Sequence, residues 1–311
     1  MIHIVINEHA KAGRRSQLEK LSEFLSVRAV AYTVHRTEKP GDATRIVRRL
    51  CESGEAGDIW IVGGDGTINE AVNGLVLPSD VHIAVLPGGS GNDYVKSLGL
   101  PGDLLACAKK LLETAEYRGY DVGSVDTFEE QGTVRFAGSC GIGYDAKVCH
   151  EVDNSLLKKI LNKLHLGKLA YFIVAFRQVF ANPRFQATIV ENGMSRTYTD
   201  VIFLCFMNSR YEGGGLLMAP DASPCDGKLS VVLAHGIRPL RVLTMLPKLL
   251  RGTHVKHRNV TVLSCESIEV ITDQKQYLHT DGDVQCMTRH IRVSCLPDQM
   301  SMPACGMSSG R

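Results

Sequence analysis

Through its first 121 residues the chain alternates short apolar stretches with amphipathic ones, and this alternation restricts the fold more than any other feature. Residues 2–6, 30–35, 59–62 and 81–86 read as strands. Between and after them, residues 16–27, 41–51, 68–75 and 104–114 carry apolar side chains at helical spacing, such as Leu18, Leu21, Phe24 and Leu25. Strands separated by helices must pair in parallel, so the pattern predicts an open, doubly wound α/β sheet. Ligands of such sheets sit beyond the carboxyl ends of the strands, in the strand-to-helix loops.

From Val122 the texture changes to short strands at 134–137, 185–190, 201–207, 229–234, 267–271 and 290–295, interrupted by helical segments at 155–181 and 239–251. The expectation is an α/β domain over 1–121 and a β-sandwich domain over 122–297, whose last strand is free to return to the first domain. A disordered tail is expected from 298 to 311. With 44% hydrophobic and 22% charged residues the chain is long enough to bury a full core without metal or disulfides. No two of the ten cysteines are spaced C-x-x-C, so they read as reduced thiols. The first residues lack the basic region of a signal peptide, and the longest uncharged apolar run, 169–176, is far below the ~20 residues of a spanning helix. A cytoplasmic protein, at most peripheral to a membrane, is expected. The formal charge of +2 gives no support to nucleic-acid binding.

Two glycine-rich loops carry the chemistry. Strand 59–62 runs into Gly63-Gly64-Asp65-Gly66-Thr67, with a helix opening at once; strand 81–86 runs into Pro87-Gly88-Gly89-Ser90-Gly91-Asn92-Asp93. Glycines let backbone N–H groups approach a phosphate closely, and a helix N-terminus adds positive potential. Asp65 in such a loop would repel phosphate unless a cation intervenes, which points to Mg²⁺ beside a nucleotide. A single Asp-Gly turn is ordinary in strand–helix connections, but two such loops on one sheet argue for a ligand. Neither loop fits G-x-G-x-x-G, neither Gly167-Lys168 nor Gly227-Lys228 continues as a Walker A loop, and H-R-D and D-F-G are absent.

The pair GGDGTINE (63–70) and LPGGSGND (86–93) resembles the lipid kinase family of bacterial diacylglycerol, ceramide and sphingosine kinases, and more distantly NAD kinases and phosphofructokinases. The resemblance continues through DVGSVD (121–126), GSCGIGYDAKV (138–148), GGGLLMAPDASPCDGKLSV (213–231) and HTDGDV (279–284). It implies an ATP- and Mg²⁺-dependent kinase that phosphorylates a lipid hydroxyl, most simply that of diacylglycerol. Gly63, Gly64, Asp65, Gly66, Thr67 and Asn69 would hold ATP phosphates, Ser90 and Thr37 would touch the nucleotide, and Asn7, Ala12 and Gly13 match a third loop, spelled here without its usual proline. Ser223, Asp226 and the carbonyl of Lys228 would bind a structural Mg²⁺. Asp283 stands at the general-base position and Asp65 would organise the catalytic metal.

At position 283 the family usually has Glu, and Asp is one methylene shorter. Asp281 is a rival: if both lie on one strand, residues two apart share a face. Two acid-free basic segments, 155–181 and 235–258, could rest on an anionic membrane; solvated lysines and arginines on core-packed helices are the plainer explanation. His254 and His257 read as a solvated surface pair rather than a zinc site, and Trp60 as core. The other functions left open are a soluble kinase of the NAD kinase class and a catalytically weak nucleotide- or lipid-binding relative. Neither the acceptor lipid nor the assembly, a homodimer included, is legible.

Overall fold

The computed structural model describes residues 1–7, 14–54, 57–76, 81–129, 132–153, 177–178 and 184–304. The basic segment 155–181 therefore falls almost entirely outside the described residues, as do Ala12 and Gly13. The chain divides into two compact units: residues 1–122 with 224–227 and 296–311, and residues 123–223 with 228–295.

The first unit is built on four parallel strands, β1 (Ile2–Asn7), β2 (Tyr32–Thr37), β3 (Asp58–Gly63) and β4 (Ile83–Pro87), in the order β2-β1-β3-β4. β3 and β4 are almost wholly buried, as near-continuous runs of Ile, Val, Leu and Ala require when helices cover both faces. Helices α1 (Arg14–Val27), α2 (Asp42–Ser53), α3 (Asp65–Gly74), α4 (Asp93–Ser97) and α5 (Leu104–Glu113) follow the strands; α2 packs on α3 and α1 on α5. α2 buries Ala43, Ile46, Val47 and Leu50, one face at helical spacing, and α5 starts on an Asp103 side chain that accepts the Ala106 N–H. Trp60 is 3% exposed and belongs to this core.

The second unit is a β-sandwich-like body. The nine-stranded sheet includes β5 (Tyr117–Thr127), β6 (Gly132–Phe136), β7 (Ser139–Gly143), β8 (Phe185–Glu191), β9 (Met194–Met207), β12 (Leu229–His235), β13 (Val260–Cys265), β14 (Ser267–Thr280) and β15 (Asp283–Pro303), of which residues 117–122 of β5 and 296–303 of β15 are counted with the first unit; the path runs β13-β12-β9-β7-β14-β15-β5-β6, with β8 against β14 and β9. A two-stranded ribbon, β10 (Tyr211–Glu212) and β11 (Leu216–Leu217), stands apart. Helix α6 (Tyr144–Asp153) follows β7 directly, and α7 (Pro239–Leu250) follows β12. Phe136, Phe206, Leu204, Val231, Val270 and Ile291 meet in one apolar core.

Two expectations need correction. The chain is not a loose tail from residue 298: β15 runs on through Pro303, Met300 and Met302 are buried at 1% and 2% exposure, and Ser301 bridges His82 in the first unit. The period-2 alternation of Met300 and Met302 is a strand signal that the small, polar neighbours mask. His254 is not solvated either; it is buried, with Nε2 2.9 Å from the Met218 carbonyl oxygen. The nine described cysteines are all unbridged thiols.

Phe206 is fully buried in the sandwich core. Phe206→Ala should cost about 3–5 kcal/mol, the range for truncating a buried aromatic ring. Urea unfolding of the variant beside the parent measures this; a loss below 1 kcal/mol would mean the core does not close around this ring.

Candidate functional site

In the first unit the carboxyl ends of the four strands bring the expected residues to one edge. Asn7 and Thr37 are register partners at the ends of β1 and β2, and Gly63 pairs with Pro87 at the ends of β3 and β4. The two glycine loops leave this edge together and pack backbone to backbone. Gly88 N–H donates to the Gly63 carbonyl at 2.8 Å. A Cβ on Gly88 would stand 2.9 Å from Gly63 N, and one on Gly89 would collide with Gly64 Cα. Only glycine at both places permits this approach.

Side chains lock the pair. Asp65 opens α3, and its Oδ1 accepts the Tyr94 N–H of α4 at 3.1 Å, so one carboxylate ties both loops. Asn92 sits in the left-handed region (φ 54°), accepts Gly89 N–H at 2.7 Å and donates to the Gly89 carbonyl at 3.2 Å. Gly64 is extended, and its carbonyl accepts Thr67 and Ile68 N–H at 3.0 and 3.1 Å, which starts the helix. Gly64, Asp65, Gly66 and Thr67 are half-buried and Ser90 is exposed. Thr37 is buried, its hydroxyl 3.5 Å from the Ile6 carbonyl. Asn69 is buried on α3, where its carbonyl accepts the Asn73 amide, while Glu70 reaches back to the Ala43 N–H that opens α2. Gly13 lies outside the described residues.

A half-buried carboxylate beside backbone amides at a helix start suits a hard cation carried by a polyphosphate. Asn92 escaped the sequence reading; its place directly after a glycine, in a loop needing a positive φ, was the available signal.

In the second unit Asp281 does not share a strand face with Asp283. Asp281 (φ 48°) and Gly282 (φ 90°) form the two-residue turn of the β14–β15 hairpin, flanked by the pair Thr280–Asp283. Positive φ at both central residues is the type I′ geometry for which Asp-Gly is suited. The Asp281 carboxylate accepts three backbone N–H groups, from Ala137 at 2.8 Å and from Gly138 and Ser139 at 2.8 and 2.9 Å. It is thereby committed to holding a bend. Asp283, the first residue of β15, is exposed. Gln285 steadies it by donating to the Asp283 carbonyl and to Thr280 Oγ1.

Beside this turn lies a buried polar cluster that the sequence reading missed. His279 Nε2 is 3.0 Å from Asp145 Oδ2 and 3.3 Å from Glu212 Oε1, and the ring is fully buried. The Cys205 thiol donates to the same Asp145 oxygen at 3.0 Å; burial first, then Asp145 and Glu212, hold that thiol far above its usual range and keep it protonated. A Cβ at Gly141 would collide with both Asp145 Oδ2 and His279 Nε2. Burial alone would lower the His279 pKa, but Asp145, followed by Glu212 and Asp281, outweighs it and raises the pKa to about 9. Gly282 N–H, 3.3 Å from Nδ1, favours an unprotonated Nδ1. One long neutral bond loses to two half-buried carboxylates, because charge-assisted bonds are roughly twice as strong.

Ser223, Asp226 and Lys228 lie in the turn before β12; Ser223 is half-buried, Asp226 and Lys228 exposed. Within the first unit Asp121 fixes part of this turn by accepting Gly227 N–H at 2.8 Å and Asp298 N–H at 3.0 Å.

A doubly wound α/β unit with paired glycine loops, joined to a β-sandwich-like unit, defines the architecture of a lipid kinase. A family model described as the diacylglycerol kinase catalytic domain matches residues 1–125, and one described as the YegS C-terminal NAD kinase beta sandwich-like domain matches residues 138–303. The chain belongs to this family of diacylglycerol kinases and YegS-like lipid kinases. A diacylglycerol kinase of Bacillus subtilis (strain 168) is 29% identical over 276 residues, 84% of this chain and 84% of its own. The protein named probable lipid kinase YegS-like of Chromohalobacter salexigens is 28% identical over 298 residues, 94% of this chain and 91% of its own. A diacylglycerol kinase structure from Bacillus anthracis str. Sterne has the same fold, with a TM-score of 0.71 at 20% identity over 97% of this chain and 96% of that one.

Because folded His279 keeps its proton to higher pH than an unfolded histidine, its stabilisation is complete below pH 6.5 and lost as pH rises through about 9. Unfolding midpoints of the parent and His279→Gln, taken across that window, should converge as pH rises. A constant gap would show that the ring is not charged in the folded protein.

Proposed function

We propose that the chain transfers the γ-phosphate of ATP to the hydroxyl of a lipid, with diacylglycerol the leading acceptor. The observation that carries the reading is the backbone contact between Gly63-Gly64 and Gly88-Gly89, which leaves two loops and the first turn of α3 at one strand edge without side-chain bulk. Amides so arranged suit the phosphates of a nucleotide, with Asn7, Gly13, Thr37, Thr67, Asn69 and Ser90 as its further contacts. Mg²⁺, when bound, would neutralise charge on the phosphoryl oxygens. Asp65 supplies the carboxylate for that ion while its other bond keeps α4 in register. Asp283 accepts or orients the acceptor's hydroxyl proton. Asp283 is exposed at the start of β15, and the hairpin fixes the backbone that carries the shorter side chain. Ser223 Oγ, the Asp226 carboxylate and the Lys228 carbonyl are an all-oxygen set, which suits a structural Mg²⁺. The acceptor is met at a membrane surface, to which no described helix is long and apolar enough to be anchored as a span.

The test is incubation with labelled ATP, Mg²⁺ and a total lipid extract, with mass identification of the product. Asp65→Asn retains an acceptor for Tyr94 N–H while removing the charge, so its melting temperature should match the parent's. Its turnover should fall at least ~10²-fold, and that of Asp283→Asn likewise. Near-parental turnover in either variant would remove that residue from the mechanism.

A further inference from the structure

In the second unit the segment joining β12 to β13 concentrates positive charge. Residues 235–258 contain Arg238, Arg241, Lys248, Arg251, Lys256 and Arg258 and no acidic residue. Three of these arginines converge on one shallow cavity of about 210 Å³, lined by Gly236, Ile237, Arg238, Arg241, His257, Arg258 and Asn259. All three arginines are exposed, and among the described residues none has a carboxylate within ion-pair distance. The main-chain carbonyl of Asp200 accepts Gly236 N–H, and its side chain lies 3.8 Å from Arg184 Nε. Arg184, paired with Asp200, donates to the carbonyl of the lining residue Ile237 at 3.0 Å. His257 reports the local field: burial and then the charges of Lys248, Arg258 and Arg241 lower its pKa, so near neutral pH it enters as a neutral donor or acceptor.

Three guanidinium groups with planar donor forks and no acidic partner form a receptor for a phosphate oxyanion. We propose that this cavity binds the phosphate of an anionic phospholipid headgroup and so docks the second unit on the bilayer. Charge complementarity selects this occupant: a leaflet of anionic lipid offers many phosphates at once to the whole acid-free segment, whereas Lys248, Arg251 and Lys256, outside the cavity, have no use for a single free anion. The inference rests on the lipid kinase reading only in that such an enzyme must reach an acceptor held in a membrane. It concerns binding, not transfer.

The experiment is sedimentation of the full chain with vesicles of phosphatidylcholine alone, or mixed with phosphatidylglycerol, at low and high salt. The parent should bind the mixed vesicles, release at high salt and ignore phosphatidylcholine. Arg238→Gln/Arg241→Gln/Arg258→Gln should lose on the order of 10²-fold in vesicle affinity, since each basic group near an anionic surface contributes roughly a factor of five. Its turnover on detergent-dispersed acceptor should stay parental. Arg241→Glu alone, an exposed change safe for folding, should weaken binding in the same direction. The proposal is overturned if the parent fails to bind, or if the triple variant binds as the parent does. It is equally overturned if the cavity binds inorganic phosphate, losing it in the triple variant, while vesicle binding stays unchanged. Absence of turnover in a parent that still binds vesicles would count against the kinase reading and leave the docking site standing.

Discussion

The close approach of two backbone segments, Gly63-Gly64 to Gly88-Gly89, governs the first unit. A hydrogen bond of 2.8 Å between Gly88 N–H and the Gly63 carbonyl prolongs the β3–β4 ladder one residue past the last strand pair. Any Cβ at this seam would push the loops apart. Once they touch, Asp65 lies within reach of Tyr94 N–H and Asn92 within reach of both polar groups of Gly89. The loops are therefore held in place by backbone contact and two short side chains rather than by bulk.

The second unit meets the opposite problem, several carboxylates among buried backbone. Asp281 is stabilised by three N–H groups of the Ala137–Ser139 bend, which Asn208 grips from another side through the Ala137 carbonyl. Asp145 and Glu212 share a protonated imidazole, with a thiol as extra donor. Removing His279 would leave two half-buried carboxylates without their shared cation, which is costlier than the bonds it loses. The turn that precedes Asp283 is thus pinned through Asp281, and His279 beside it carries two carboxylates.

Much of this was legible in the sequence. Parallel strands alternating with helices follow from apolar periodicity, and the paired glycine loops follow from residue type, since few other sequences tolerate such contact. What failed has a common cause. Asp281 would share a face with Asp283 only on one strand, and period-2 reasoning ignores turn chemistry, although Asp-Gly between apolar runs is a strong hairpin signal. His279, Asp145, Glu212 and Cys205 come from β14, α6, β10 and β9, so no spacing along the chain links them; only the sheet register does. His254 looked solvated beside His257 because a three-residue separation says nothing of the Met218 carbonyl that receives its ring.

The modest net charge conceals a segregation that matters more than the total. In the second unit Asp145 and Glu212 share the His279 imidazolium and Asp281 accepts three backbone N–H groups, while Asp200, Glu266, Asp273 and Asp283 are exposed. The arginines of 235–258 remain outside with no acid in their own segment. A bilayer senses charge only within about a Debye length, roughly 8–10 Å, so a near-neutral protein can present a strongly positive face.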